Sequence, residues 1–180
     1  MIHLGTRELH TNRLTLRRFD KKDASELFDS YINQEEFWYY ANKKRMSIEE
    51  VEKYIDRQLE RYESSEVYNW CITLKETGAI IGAINLQPNN YNNSIEFNYA
   101  IDNRYINNGY MTEALETVKE YCMSELKVKR FQGGCCIENA ASEKVMKKIG
   151  MKHEGVLRAN IQLKDGYHDM HMYSLINDKI

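Results

Sequence analysis

The chain has 180 residues, 42% hydrophobic and 29% charged, which excludes a disordered polymer and suits one folded domain over residues 1–180. Its net charge of -2 excludes a nucleic-acid binder that relies on bulk basicity. No apolar run reaches the length of a membrane span and no signal-peptide pattern is present, so a cytoplasmic protein without membrane contact is expected. The four cysteines, Cys71, Cys122, Cys135 and Cys136, include no C-x-x-C pair. They are read as reduced core residues, with neither a disulfide framework nor a metal site expected.

In chain order, Leu14 to Phe19 alternates apolar and polar residues and reads as a strand. Asp20 caps a helix with the apolar face Ala24, Leu27, Phe28, Tyr31 and Ile32. Phe37 to Tyr40 is a dense aromatic run without a clear period. Ser47-x-x-Glu50 is a capping box, and Val51, Tyr54, Ile55, Gln58 and Tyr62 continue an amphipathic helix from it. Val67 to Leu74 and Ile80 to Leu86 read as strands joined by the Glu76-Thr-Gly78 turn, with Pro88 ending the second.

Ser94 to Ile101 is a further strand, followed by a polar turn and then a helix from Gly109 onward. The helix has one apolar face of Met111, Ala114, Leu115, Val118 and Cys122. Free N–H groups at a helix start beside a glycine form an anion site, and phosphate is the usual anion. Arg130 to Ile137 reads as the next strand, so the unit is a β-α-β crossover with the anion site at the carboxyl end of its first strand. Asn139 N-caps a helix with the inner stripe Ala141, Val145 and Ile149, closed by Gly150. Met151 to Ile161 and His168 to Ile176 form a hairpin across Lys164-Asp-Gly166. The expected architecture is α/β: a mixed, mostly antiparallel sheet of about seven strands with one β-α-β crossover, flanked by about four helices.

On the strand 94–101, Ile95, Phe97, Tyr99 and Ile101 share one face, and Ser94, Glu96 and Asn98 the other. A central strand between helix layers should be apolar on both faces. A carboxylate and an amide together therefore point to a cleft, and Glu96 is the candidate general base; a solvent-facing glutamate is the alternative. His168 and His171 are three apart on a strand and face opposite ways, so no shared metal is expected. Asp169, His171 and Tyr173 share a face, read as the hairpin's polar one. Phe37 to Tyr40, with Glu35 and Glu36, could line a site for a cationic group or form a core or dimer contact.

Six motifs occur in a telling order. They are Leu9-x-Thr11-x-Arg13-Leu14-x-Leu16-Arg17, Glu96-Phe-Asn-Tyr99, Gly109-Tyr-Met-Thr-Glu-Ala114, Asn139-x-x-Ser142 with Lys148-Ile-Gly-Met151, Glu154-Gly-Val-Leu-Arg158, and Asp165-Gly-Tyr-x-Asp169-x-x-x-Tyr-Ser-Leu175. Together they make the chain resemble the GNAT N-acetyltransferases over nearly its whole length, in particular the RimJ/RimL type that acetylates protein N-termini.

The resemblance implies acetyl transfer from acetyl-CoA to a primary amine. The first-ranked acceptor is a protein or peptide N-terminal α-amine. A small amine (polyamine, amino acid or aminoglycoside) is the alternative. It implies coenzyme contacts from Tyr99, Ile101, Ile106, Asn107, Asn108, Gly109, Tyr110, Met111, Thr112, Asn139 and Ser142. It makes Ser142 the candidate proton donor to sulfur and a backbone N–H of Asn98 or Tyr99 the oxyanion donor. For Asn139 and Ser142, ordinary helix capping is the competing reading. No metal is implied, and a homodimer is in keeping with relatives. Two positions depart from the family loop: Ile106 stands where Arg or Gln is usual, and Met111 where a small residue is usual. They motivate a further alternative, a coenzyme A-binding protein with little turnover.

Overall fold

The computed structural model describes residues 1–42 and 44–180. Its strands are β1 (Leu9–His10), β2 (Leu14–Arg17), β3 (Tyr68–Leu74), β4 (Ile80–Asn89), β5 (Ser94–Ile101), β6 (Arg130–Cys136), β7 (Lys152–Leu163) and β8 (Gly166–Ile176). Its α-helices are α1 (Ala24–Phe28), α2 (Glu35–Tyr40), α3 (Ile48–Arg61), α4 (Tyr110–Glu120) and α5 (Ala140–Lys148). The eight strands form one sheet in the order β1-β2-β3-β4-β5-β6-β8-β7. Every neighbouring pair is antiparallel except β5 and β6, which the α4 crossover makes parallel. Among the described residues no helix is long and apolar enough to cross a membrane.

The sheet is covered on both faces. One face packs Leu14, Leu16, Trp70, Ile84 and Phe97 against Met111, Leu115 and Val118 of α4. The other packs Cys71 and Ile80 against Leu27 of α1 and Val51 and Ile55 of α3. Each such side chain contributes about 1.5–3 kcal/mol on burial.

Several boundaries differ from the sequence expectation. The short β1 is additional. Asp20 does cap, in a reciprocal box with Asp23, but the helix after it is broken. Ser30 donates its hydroxyl and its N–H to the Leu27 carbonyl, 2.8 and 3.1 Å, which competes with helix continuation. Tyr31–Asn33 is then a separate 3-10 turn, although Ala24, Leu27, Tyr31 and Ile32 are all buried. The aromatic run forms α2.

Pro88 lies inside β4, opposite Ile95. There β4 has run past the last β3 partner of Leu86, so it is an edge and tolerates a missing N–H. In α5 the buried residue is Met146, with Ile149 buried at its C-cap, while Ala141 is exposed. Tyr173 is not on a polar face: it is buried and donates its hydroxyl to Glu143 at 2.7 Å.

The parallel ladder is the feature that shapes the molecule. It pairs only Ser94 with Arg130, Ile95 with Phe131 and Glu96 with Gln132. Beyond it β5 runs on to Ile101 and β6 to Cys136 without pairing to each other. The Phe97 ring fills the fork. It stacks on Phe131 at 4.8 Å and on Tyr99 at 6.3 Å. Gly133 is required there, because a Cβ at that position would lie 2.4 Å from Phe97 Cζ.

Candidate active site

The fork opens into a cleft of about 1700 Å³. Asn98, Tyr99 and Ile101 line it from β5, Gly134 and Cys135 from β6, and Asn139 and Ser142 from α5. From Phe97 onward the β6-facing edge of β5 has no ladder partner, so backbone groups there are free for a ligand. The Tyr99 hydroxyl lies 2.8 Å from Ser142 Oγ, which puts two hydroxyls in contact at this wall. Burial pushes the Tyr99 phenol up to about 12, although its bond to Ser142 opposes this, so it is neutral and able to donate a proton.

The loop before α4 forms the second wall. A 3-10 turn at Asn103–Tyr105, capped by Asp102, ends β5. Asn107 then takes φ 62° and Gly109 φ 78°, both left-handed. Gly109 is the N-cap residue and supplies no side-chain cap. The first backbone bond of the helix is Glu113 N–H to the Gly109 carbonyl, 3.0 Å, so the N–H groups before it are left for water or an anion.

The two departures from the family pattern do not close this cradle. Met111 is 5% exposed and packs into the core under α4, and Ile106 is exposed at the loop surface. Ile106, Asn107, Gly109, Tyr110, Met111 and Thr112 all line the cleft. Asn108 is not among the lining residues; its side-chain N–H donates to the Ile106 carbonyl at 3.0 Å and so braces the loop.

A clamp that the sequence reading did not recognise holds the loop in place. Arg13 donates from Nε to Glu113 at 2.7 Å and from Nη1 to the Asn108 carbonyl at 3.1 Å, and its guanidinium lies 4.3 Å over the Tyr110 ring. Thr11 donates its hydroxyl to Glu113 at 2.5 Å. Burial alone would raise the Glu113 pKa, but the Thr11 and Arg13 hydrogen bonds outweigh it and lower the value. Two of the six motifs therefore meet here, the first-strand signature and the helix-start Glu. Their separation of 100 residues hid the contact.

The structure does not bring every candidate together. Glu96 lies within the paired stretch of β5, accepts from Gln132 at 2.9 Å, and is outside the residues lining the cleft. The carboxylates that do line it are Glu36 and Glu50, and Glu50 is engaged in the Ser47 capping box. Asn139 caps α5 by accepting from Ser142 N–H at 3.0 Å and also lines the cleft, so capping and site placement coincide. Of the aromatic run, Phe37 and Tyr40 face the cleft with Glu36. Trp38 and Tyr39 turn away, donating to the Ile32 carbonyl and to Asp165.

A family model described as an acetyltransferase (GNAT) domain matches residues 13–152. The chain is 28% identical over 172 residues to the uncharacterized N-acetyltransferase YoaA of Bacillus subtilis, covering 95% of this chain and 97% of the relative. It is 28% identical over 87 residues to the ribosomal-protein-serine acetyltransferase of Escherichia coli, covering 48% of this chain and 49% of the relative. A solved structure of RimL, a ribosomal L7/L12 α-N-protein acetyltransferase in complex with coenzyme A, superposes with a TM-score of 0.84 at 19% identity. That match covers 97% of this chain and all (100%) of the other, and at that identity it speaks to the fold. With a family model matched over more than half its length and a free helix start beside a forked sheet, the chain belongs to the GNAT acetyltransferase family and is an acetyl-CoA-dependent N-acetyltransferase.

Proposed function

We propose that residues 1–180 form one domain that acetylates the N-terminal α-amine of a protein or peptide, with all of its chemistry in the β5/β6 fork. The observation that carries this reading is the juxtaposition of the unpaired β5 edge, the Tyr99–Ser142 hydroxyl pair and the free start of α4. The N–H groups from Asn107 to Thr112 hold the pyrophosphate of the cosubstrate. A backbone N–H of Asn98 or Tyr99 faces the thioester oxygen, where negative charge builds as the amine attacks. As the C–S bond breaks, the Tyr99–Ser142 pair supplies a proton to the departing thiolate. Tyr99 is the immediate donor, because a phenol is more acidic than an aliphatic hydroxyl.

The charged lining of the cleft supports this acceptor class. Lys44, Arg45, Arg57, Arg61, Lys144 and Lys148 line the cleft, against Glu36 and Glu50. Arg57 donates to the Lys53 carbonyl and Arg61 to the Gln58 amide oxygen, neither of them a carboxylate. Such a wall repels a polycationic polyamine and suits a chain that carries acidic residues behind its amine. An α-amine titrates near about 8, so a useful fraction is neutral at pH 7 and water suffices to take the remaining proton. The ribosomal-protein-serine relative, matched over about half of the chain, supports the same acceptor class.

The test is thiol release from acetyl-CoA across N-terminal peptides with acidic or basic residues after the first position, alongside spermidine and free amino acids. Acidic peptides are expected to give the highest kcat/KM. A preference for spermidine would remove the α-amine reading.

A further inference from the structure

We infer that Cys136, Glu138 and His168 form a binding site for one zinc-like divalent ion at the edge of the cleft. The thiol, one carboxylate oxygen and one imidazole nitrogen lie within 4.8 Å of one another. The end of the β6/β8 ladder explains why they converge. Cys136 makes the last pair, with Met170, the Ile137 N–H still donates to the Asp169 carbonyl at 3.1 Å, and the chain then turns, with Asn139 N–H on the Cys136 carbonyl at 2.9 Å. Glu138 lies in that turn, within reach of both Cys136 and His168 of β8. Cys136 Sγ donates to one Glu138 oxygen, and His168 Nδ1 lies 3.2 Å from the other.

What lies behind the histidine separates this cluster from a chance group of polar residues. His168 Nε2 is 2.9 Å from Asp165, which in turn accepts from the Tyr39 hydroxyl at 3.0 Å. A carboxylate on the far ring nitrogen fixes the tautomer and orientation of a metal-ligating histidine and raises its basicity. A thiolate, an imidazole and a carboxylate suit Zn²⁺ or Co²⁺ rather than Mg²⁺ or Ca²⁺. A tetrahedral ion with zinc bond lengths spaces its ligand atoms by about 3.5 Å, so shifts on the order of an ångström complete the geometry. Binding displaces the thiol proton to solvent, forms the metal–sulfur bond, and leaves the fourth position to water. Cys136 lines the cleft, so the ion would sit in its wall. None of this depends on which amine the enzyme acetylates.

The experiment is titration of the full chain with Co²⁺ under reducing, anaerobic conditions. Thiolate-to-cobalt charge-transfer absorption is expected to saturate at one ion per chain and to be displaced by Zn²⁺. Cys136→Ser should abolish the band, and Glu138→Gln, His168→Asn and Asp165→Asn should each weaken binding about tenfold or more. Circular dichroism and melting curves check folding; Glu138 and Asp165 are exposed, so their variants keep the test open if Cys136→Ser does not fold. The His153–His171 pair, with ring nitrogens 2.9 Å apart, is the internal control, and His153→Asn should leave the band unchanged. Absence of the band in the unmodified chain, its survival in Cys136→Ser, or its loss in His153→Asn would each overturn the assignment.

Discussion

At the scale of single residues, the Tyr99–Ser142 contact carries the sharpest expectation. General acid catalysis is worth about 10²–10⁴ in rate, and the more acidic hydroxyl should carry most of it. Tyr99→Phe is expected to lower kcat on the order of a hundredfold, and Ser142→Ala on the order of tenfold, with coenzyme A affinity unchanged in both. Equal losses, or a loss confined to affinity, would argue that the pair positions the cosubstrate and does not donate a proton. Glu96 is the converse case. Its residue type and strand face suggested a base, but its carboxylate is engaged with Gln132 within the paired ladder. Glu96→Gln is expected to keep kcat within about twofold, while Glu36→Gln, on the cleft wall, raises KM for the amine. A large kcat loss in Glu96→Gln with unchanged coenzyme affinity would return the base role to Glu96.

At the scale of elements, two contacts hold the cleft open. One is the wedge of Phe97 beneath Gly133. Gly133→Ala places a methyl group where the ring now sits, and overpacking of that kind costs about 1–3 kcal/mol. The midpoint of thermal unfolding should fall accordingly, and a second change, Phe97→Leu, should recover part of the loss. No recovery would mean that the ring is not what excludes the methyl. The other contact is the Arg13 clamp. Arg13 is about half exposed, so its ion pair with Glu113 adds only about 0.2–1 kcal/mol to stability. Its larger effect is on order: Arg13→Ala frees both the Asn108 carbonyl and Glu113. Isothermal titration is expected to show coenzyme A affinity weakened about tenfold, with little change in unfolding midpoint. Unchanged affinity would mean that the loop before α4 is preformed without Arg13.

At the scale of the whole molecule, buried and paired carboxylates set the acid response. Asp102 is fully buried; burial alone would raise its pKa, but bonds from Arg104 and Gln34 outweigh this and lower it. The Glu113 value is lowered in the same way, and Arg130 with Ser174 lowers Glu154 to about 2. Each group binds its proton more weakly folded than unfolded, so the unfolded chain takes up more protons as pH falls. The stability these groups contribute is present above their ordinary value near about 4 and is lost as pH drops toward about 2. The urea midpoint should be level from about pH 7 to 5 and decline below that, less steeply in Glu154→Gln. A midpoint that stays level down to about pH 3 would exclude these carboxylates as the cause.

The sequence by itself determined whatever depends on near neighbours in the chain. The period-2 and period-3.6 apolar patterns located the main strands and helices, because side-chain direction repeats locally. The capping residues Asp20, Ser47 and Asn139 marked true element starts, because a cap acts within three residues. The β-α-β crossover and the helix start at Gly109 were legible for the same reason.

Only the tertiary structure decided what depends on residues far apart in the chain. It set the fork between β5 and β6, which needs Phe97 against Gly133. It set the meeting of Arg13 with Glu113, the exclusion of Glu96 from the cleft, and the inward turn of Met111 that leaves the cradle clear. Cys136, Glu138 and His168 follow the same rule: a spacing of 30 residues between Glu138 and His168 shows no ligand pattern until the pairing of β6 with β8, and the turn after Cys136, bring them together. Strand pairing imposes such proximities, and no local propensity encodes them.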